Sequence, residues 1–166
     1  MHELGETQAD DSVKQGNVYH TFKIETGEHA GKTCTIREAT PQDAAGVLAL
    51  KLEILRQGIY DALLPEEYTF DTEQEALLIE QNQQSDASFM VICDIENDIA
   101  GVLYFQSSNE LRCRHWGEFG MGVRDGLRGQ KIGTKLMDAL FKWAKTTPRI
   151  EKICLKVFDV NKGAHR

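Results

Sequence analysis

The stretch VRDGLRGQKIGTKLMDAL, Val123 to Leu140, holds residues that could serve an anionic ligand. Gly129 and Gly133 let a ligand approach the backbone, and Arg128 and Lys131 add positive charge. A strand ends at Val123. Ile132, Leu136, Met137, Leu140, Phe141 and Ala144 then recur at helical spacing, which predicts a helix from about Gln130 to Lys145. The first N–H groups of such a helix have no acceptors within it, and the positive end of its dipole lies behind them. A pyrophosphate fits that end. Two better-known phosphate patterns are excluded. The spacing G-x-x-x-x-G-K-[ST] is missing, and GMGVRDG lacks G-x-G-x-x-G and lies late in the chain.

Positioning these residues requires a sheet. VYHTFKIET alternates with Val18, His20, Phe22 and Ile24 on one side, and TCTIREA reads as the next strand with Cys34 and Ile36 inward. ATPQDAAGVLALKLEILRQ opens a helix, with Thr40 accepting from the backbone near Asp43, Pro41 in the first turn, and an apolar face of Ala44, Val47, Leu48, Ile54 and Leu55. Asp71 with Gln74 forms a capping box before a second helix, EALLIEQNQQ. The period then changes. ASFMVICDI and IAGVLYFQ read as a hairpin, LRCRHWGEFGMGV as a third strand, and KICLKVF after the last helix as another. VNKGAHR reads as the start of a further helix. The expected class is α/β (α+β), a mixed central sheet with helices on both faces.

The chain has 166 residues, which suits one domain, and 41% of them are hydrophobic. No apolar run approaches the roughly 20 residues of a spanning helix, so no membrane partner is expected. Residues 1–16 are expected to be loosely attached, with the domain over 17–166, and they carry neither a secretory nor a transit signal. The cysteines Cys34, Cys93, Cys113 and Cys154 are scattered, which points to reduced, mostly buried thiols, no metal site and a cytoplasmic location. The net charge of −7 argues against nucleic acid. The charge is also lopsided. Residues 1–111 hold 6 Lys and Arg against 21 Asp and Glu, a balance of −15, whereas residues 112–166 hold 13 against 5, a balance of +8. The C-terminal third is therefore the part expected to face a small anion.

At this point the sequence resembles the GNAT acetyltransferases, whose signature places an Arg or Gln and spaced glycines at the start of a helix after a central strand. Arg128 and Gly133 match it, and Lys131 stands where the family has its first Gly. TIREATPQDA, GEFGMGV and IEKICLKVFDVNKGA are similar to further family segments, in order. The resemblance is greatest to bacterial amino-acid and small-amine acetyltransferases. It implies acetyl-CoA as co-substrate, with its pantetheine arm beside Met121, Gly122 and Val123. The pyrophosphate is then expected at the amides of Gly129, Gln130, Lys131, Ile132, Gly133 and Thr134, and Asn161 matches the family's cofactor-touching Asn. Lys131 suits this role if its φ is ordinarily helical, because only positive φ would demand Gly.

The implied reaction is direct attack of a primary amine of a small molecule on the thioester in a ternary complex. Glu118 is the candidate base, since several small-amine enzymes carry Glu there, and His115 is the second candidate. Lys156 stands where the ribosomal-protein alanine acetyltransferases carry a Glu, which argues against that acceptor. The alternatives are acetylation of a protein, a peptide or a polyamine, or a CoA-binding fragment without catalysis. The family's C-terminal β-hairpin and its Tyr acid lie past Arg166, so the expectation is a chain incomplete at its C-terminus. Such a chain would expose the edge of its last strand and pair with a second copy.

Overall fold

The computed structural model describes residues 16–58 and 63–157. The expected loose N-terminal segment therefore lies outside the described residues except for Gly16, which is buried against the backbone of Glu38. The expected C-terminal helix and Asn161 also lie outside them. The chain forms strands β1 (Val18–Lys23) and β2 (Thr33–Glu38), then helices α1 (Ala44–Gln57) and α2 (Thr72–Gln83). Strands β3 (Ser88–Ile95), β4 (Asp98–Ser107) and β5 (Trp116–Val123) follow, then α3 (Ile132–Lys145) and β6 (Lys152–Cys154). Among the described residues no helix is long and apolar enough to cross a membrane.

The six strands lie in sequence order in one sheet, antiparallel throughout except where β6 runs parallel to β5. The sheet is mixed and covered on both faces, as expected. Strand β3 shows why its sequence is apolar at nearly every position. Phe89, Val91, Cys93 and Ile95 face α3, while Met90 and Ile92 face α1 and α2, so both sides of the strand are core. On the α3 side, Ile132, Leu136, Ala139 and Leu140 press onto Cys34, Ile36, Leu103 and Phe105. On the other side, Val47, Leu50 and Ile79 press onto Ile92 and Val102.

The helix boundaries follow the caps. In α2, Asp71 Oδ1 accepts from Gln74 N–H at 2.8 Å, and Gln74 Oε1 accepts from Asp71 N–H at 3.0 Å, the predicted reciprocal box. At α1 the expected roles are reversed. The Thr40 hydroxyl and N–H both donate to Asp43 Oδ2 at 2.8 Å, because the entry is a tight turn over Pro41–Asp43 that brings the Asp43 carboxylate back. The same carboxylate takes both arms of Arg37 at 2.8 Å, and Arg37 also reaches Asp94 at 2.9 Å, tying β2 and β3 to the helix entry.

Five expectations are corrected. Tyr19 packs edge-on against Phe89 and Val18 is exposed, because an irregularity between Val18 and His20 reverses the alternation in β1. Leu50 rather than Leu48 fills the core below α1, and Ala139 rather than Phe141 lies under α3. Strand β5 starts at Trp116, since residues before it form a turn. Of the four thiols, all unbonded, only Cys34 and Cys93 are buried.

Gly117 is fixed by close approach, for a Cβ there would lie 2.4 Å from Gln106 O and 2.5 Å from the Phe105 ring. Gly117→Ala is expected to cost about 2 kcal/mol or more and to lower Tm by about 5 °C or more in a calorimetric scan. A second expectation concerns acid. Burial alone would raise the Asp43 pKa, but the Arg37 hydrogen bonds, followed by those of Thr40, outweigh it and hold the carboxyl below its ordinary value. Its stabilising contribution is therefore complete above the ordinary carboxylate range and is lost as pH falls through the lowered pKa. In Arg37→Met that loss is expected to begin at higher pH, measured by urea unfolding between about pH 3 and 7.

Candidate active site

Strand β5 is held by β4 along its whole length, from Gly117 opposite Ser107 to Val123 opposite Gly101. On its other side β6 pairs only with Trp116, Gly117 and Glu118. Strand β6 ends at Cys154, opposite Glu118 and short of the expected strand KICLKVF, so Phe119 to Val123 present an edge with no strand partner among the described residues. The sheet thus contains a fork, and the groups flanking it are where a ligand backbone could add its own hydrogen bonds.

The open edge leads to the predicted anion site. Leu127 is buried and anchors the loop, while Gly126 and Gly129 both take φ of 82°. Helix α3 starts at Ile132, two residues later than the spacing predicts. Its first backbone bond runs from Lys135 N–H to Lys131 O at 3.0 Å, so the N–H groups of Ile132, Gly133 and Thr134 have no acceptor within the helix. Gly129 and Lys131, both left-handed, flank Gln130, a local geometry that makes an amide-lined concavity.

Lys131 is the main correction here. Its φ is 64°, so it is not the first residue of an ordinary helix but the left-handed residue before it. This is the conformation that favours Gly, and a side chain there costs about 1–2 kcal/mol. The family's glycine was thus a signal about backbone angle as well as about ligand approach.

The other predicted residues divide by what their side chains do. Gln130 donates to Thr26 O at 3.0 Å and Thr26 Oγ1 at 2.8 Å, bracing the loop against the β1–β2 turn. Arg128 donates to Gln57 Oε1 at 2.6 Å and so ties the loop to the end of α1. Gly133 gives room to Met121, whose Cε would lie 3.3 Å from an added Cβ. Gly122 gives room to Ile54, whose Cδ1 would lie at 2.3 Å. Val123 packs against the core on the α3 side. The structure therefore puts Met121–Val123 and residues 128–134 side by side, with Met121 against Gly133.

Glu118 sits at the point where the fork begins, on the face covered by α1 and α2. It lies opposite Gln106 and is 39% exposed. Lys156 Nζ meets its Oε2 at 2.9 Å, although Lys156 itself is 83% exposed. His115 lies in the turn before β5, where its carbonyl accepts from Glu151 and Lys152 N–H. It is exposed and stands three residues from the fork.

A cluster on the same face was not foreseen. Glu75 is fully buried, and its carboxylate takes Lys51 Nζ at 2.6 Å and the Tyr68 hydroxyl at 2.6 Å. Lys51 also donates to Tyr68 Oη at 3.0 Å, and its Nζ lies 5.9 Å from the Tyr104 ring centre. Burial and then the Glu75 hydrogen bond push the Tyr68 pKa well above the usual phenol value. The one trace in the sequence is the spacing of Glu75 and Ile79, four apart on one helix face, with Ile79 buried too.

A mixed sheet forked at a parallel pair, with the open strand running into a helix start with free N–H groups, offers room for an extended, phosphate-bearing ligand. The profile of the acetyltransferase (GNAT) family matches residues 56–166, and the chain belongs to that family, hence to the acetyltransferases that use acetyl-CoA. Among solved structures it is similar to a GNAT-family acetyltransferase from Streptococcus pneumoniae, at 21% identity and a TM-score of 0.76, over 80% of this chain and 79% of that one. The yncA protein of Salmonella typhimurium, solved with its cofactor acetyl-CoA, matches at 19% identity and 0.69, over 80% and 75%. Glucosamine-6-phosphate N-acetyltransferase from Arabidopsis thaliana matches at 19% and 0.60, over 80% and 87%. No curated protein matches the sequence.

Lys131→Gly is expected to stabilise the protein by about 1 kcal/mol, a rise in Tm of about 2–4 °C by scanning calorimetry. Lys131→Ala, which keeps the Cβ, is expected to leave Tm within about 1 °C of the parent.

Proposed function

We propose that the chain transfers the acetyl group of acetyl-CoA to the primary amine of a small molecule, by direct attack within a ternary complex. The observation that carries this is the position of Glu118 at the fork, the last β5 residue paired to β6. The amides of Gly129 to Thr134 hold the pyrophosphate, and Arg128 and Lys131 add charge beside it. The open backbone of Met121, Gly122 and Val123 pairs with the donor's amide-bearing arm, and Asn161, outside the described residues, is assigned to the same ligand. The donor supplies a thioester, in which a C–N bond forms as the C–S bond breaks and the thiolate leaves to take a proton.

The chain's own part is proton handling and charge stabilisation. A primary amine is protonated near pH 7 and attacks only after losing that proton, which Glu118 accepts directly or through one water. A β5 backbone N–H beside the fork is placed to donate to the oxygen that gains charge. Lys156 holds the Glu118 carboxylate at the fork as an exposed pair, a contact weak enough to exchange for an incoming ammonium. That same contact supports a second reading, a chain that binds CoA without turnover because the carboxylate stays occupied.

Glu118→Gln separates the two readings. In a thiol-release assay with a panel of amines, the variant is expected to lose about 10²-fold or more in kcat and the ascending limb of the pH–rate profile, with acetyl-CoA affinity unchanged. An unchanged kcat and profile would remove Glu118 from the mechanism. CoA binding by the parent with no turnover on any amine would establish the second reading.

A further inference from the structure

The acceptor side of the fork is built by residues that no part of the signature covers. On the α1/α2 face, Tyr104 of β4 stands directly opposite Gly120 of β5, and Gln106 stands opposite Glu118. A Cβ on Gly120 would lie 2.7 Å from both Cζ and Oη of Tyr104. The tyrosine ring therefore leans across β5 onto bare backbone, two residues beyond the carboxylate, and it keeps 48% of its surface exposed. Its position is set from below by Lys51, which Glu75 and Tyr68 immobilise. Tyr68 in turn carries Phe70, with ring centres 5.3 Å apart and Phe70 41% exposed.

We propose that Tyr104 is a specificity-determining residue of the acceptor site, and that the amine it selects is a monoamine on an aryl or alkyl body. This rests on the acetyl-transfer reading above. The aromatic surface of Tyr104, with Phe70 beyond it, offers an apolar wall next to the point of attack, and Glu118 receives the single ammonium. Charge opposes a polycation. Glu75 is buried and taken by Lys51 and Tyr68, Glu53 pairs with Arg124, and Lys156 pairs with Glu118 itself. A second ammonium on the acceptor would find the carboxylates of this cluster already paired.

The test compares 2-phenylethylamine, n-butylamine, spermidine and glucosamine as acceptors with saturating acetyl-CoA. The parent is expected to favour the first two by about 10-fold or more in kcat/KM. Tyr104→Ala is expected to raise the 2-phenylethylamine KM about 10-fold and erase the preference, with the acetyl-CoA KM unchanged, and Tyr104→Phe to behave as the parent. Tyr104→Gln, which keeps length without a ring, serves if the alanine variant does not fold. An unchanged preference in the ring-less variants, an equal loss on all four amines, or a parent that favours spermidine would overturn the assignment. If the parent turns over none of them, the transfer reading fails on its own, and the Tyr104 assignment is decided by titrating 2-phenylethylamine into the CoA-saturated protein by NMR. Weaker binding in Tyr104→Ala supports it, whereas equal binding or none overturns it.

Discussion

The parallel contact between β5 and β6 lasts only three residues, and the site depends on where it stops. A strand inside a sheet normally spends its backbone groups on both neighbours. Here β5 gives one side wholly to β4 and releases the other after Glu118. Had the pairing run on to Val123, the backbone proposed to meet the donor would be spent, and Glu118 would sit mid-sheet instead of at a crotch. An unpaired edge costs stability, so the rest of the fold must hold β5 from its faces.

Those faces are packed with unusual closeness for that reason. Gly117 lies on Phe105 and the backbone of Gln106, Gly120 under Tyr104, and Gly122 under Ile54. Each missing side chain on β5 is replaced by a larger one from a neighbouring element, which holds the strand without using its edge. On the α3 side, Met121 reaches the start of the helix beside Gly133, so the open edge and the amide-lined helix start are mechanically one unit. The loop between them is tied to α1 through Arg128 and to the β1–β2 turn through Gln130. The buried Lys51–Glu75 pair does the equivalent work on the α1/α2 face. Pairs of this kind cost desolvation and add little net stability, but they fix geometry, since losing one partner leaves a buried charge.

Much of the architecture was legible because it rests on local rules. The Asp71–Gln74 box, the two-sided apolarity of ASFMVICDI and the 3.6-residue spacing after Ile132 each predict an element without reference to any other. The misses have a common physical origin, since each needed a backbone angle or a neighbour. Tyr19 turned inward because of an irregularity in β1, and Thr40 donates because Asp43 folds back onto it. Lys131 adopts φ of 64° although nothing in its own side chain favours that region.

The sequence by itself determined the class and order of most elements, the sign of charge near the loop, and a segment, GEFGMGV followed by LRGQKIGT, suited to a phosphate-bearing ligand. These follow from side-chain period, glycine placement and charge, all of which are local. Only the tertiary structure decided that β6 leaves β5 at Glu118, that Lys156 rests on that carboxylate, and that Lys51, Glu75, Tyr68 and Tyr104 assemble beside it. Such contacts join residues 7 to 53 positions apart for the Lys51 cluster and 38 apart for the Glu118 pair, and they depend on how strands are registered and how helices lie across them. No pattern within one segment encodes a meeting between segments, and it is that meeting which shapes the surroundings of Glu118.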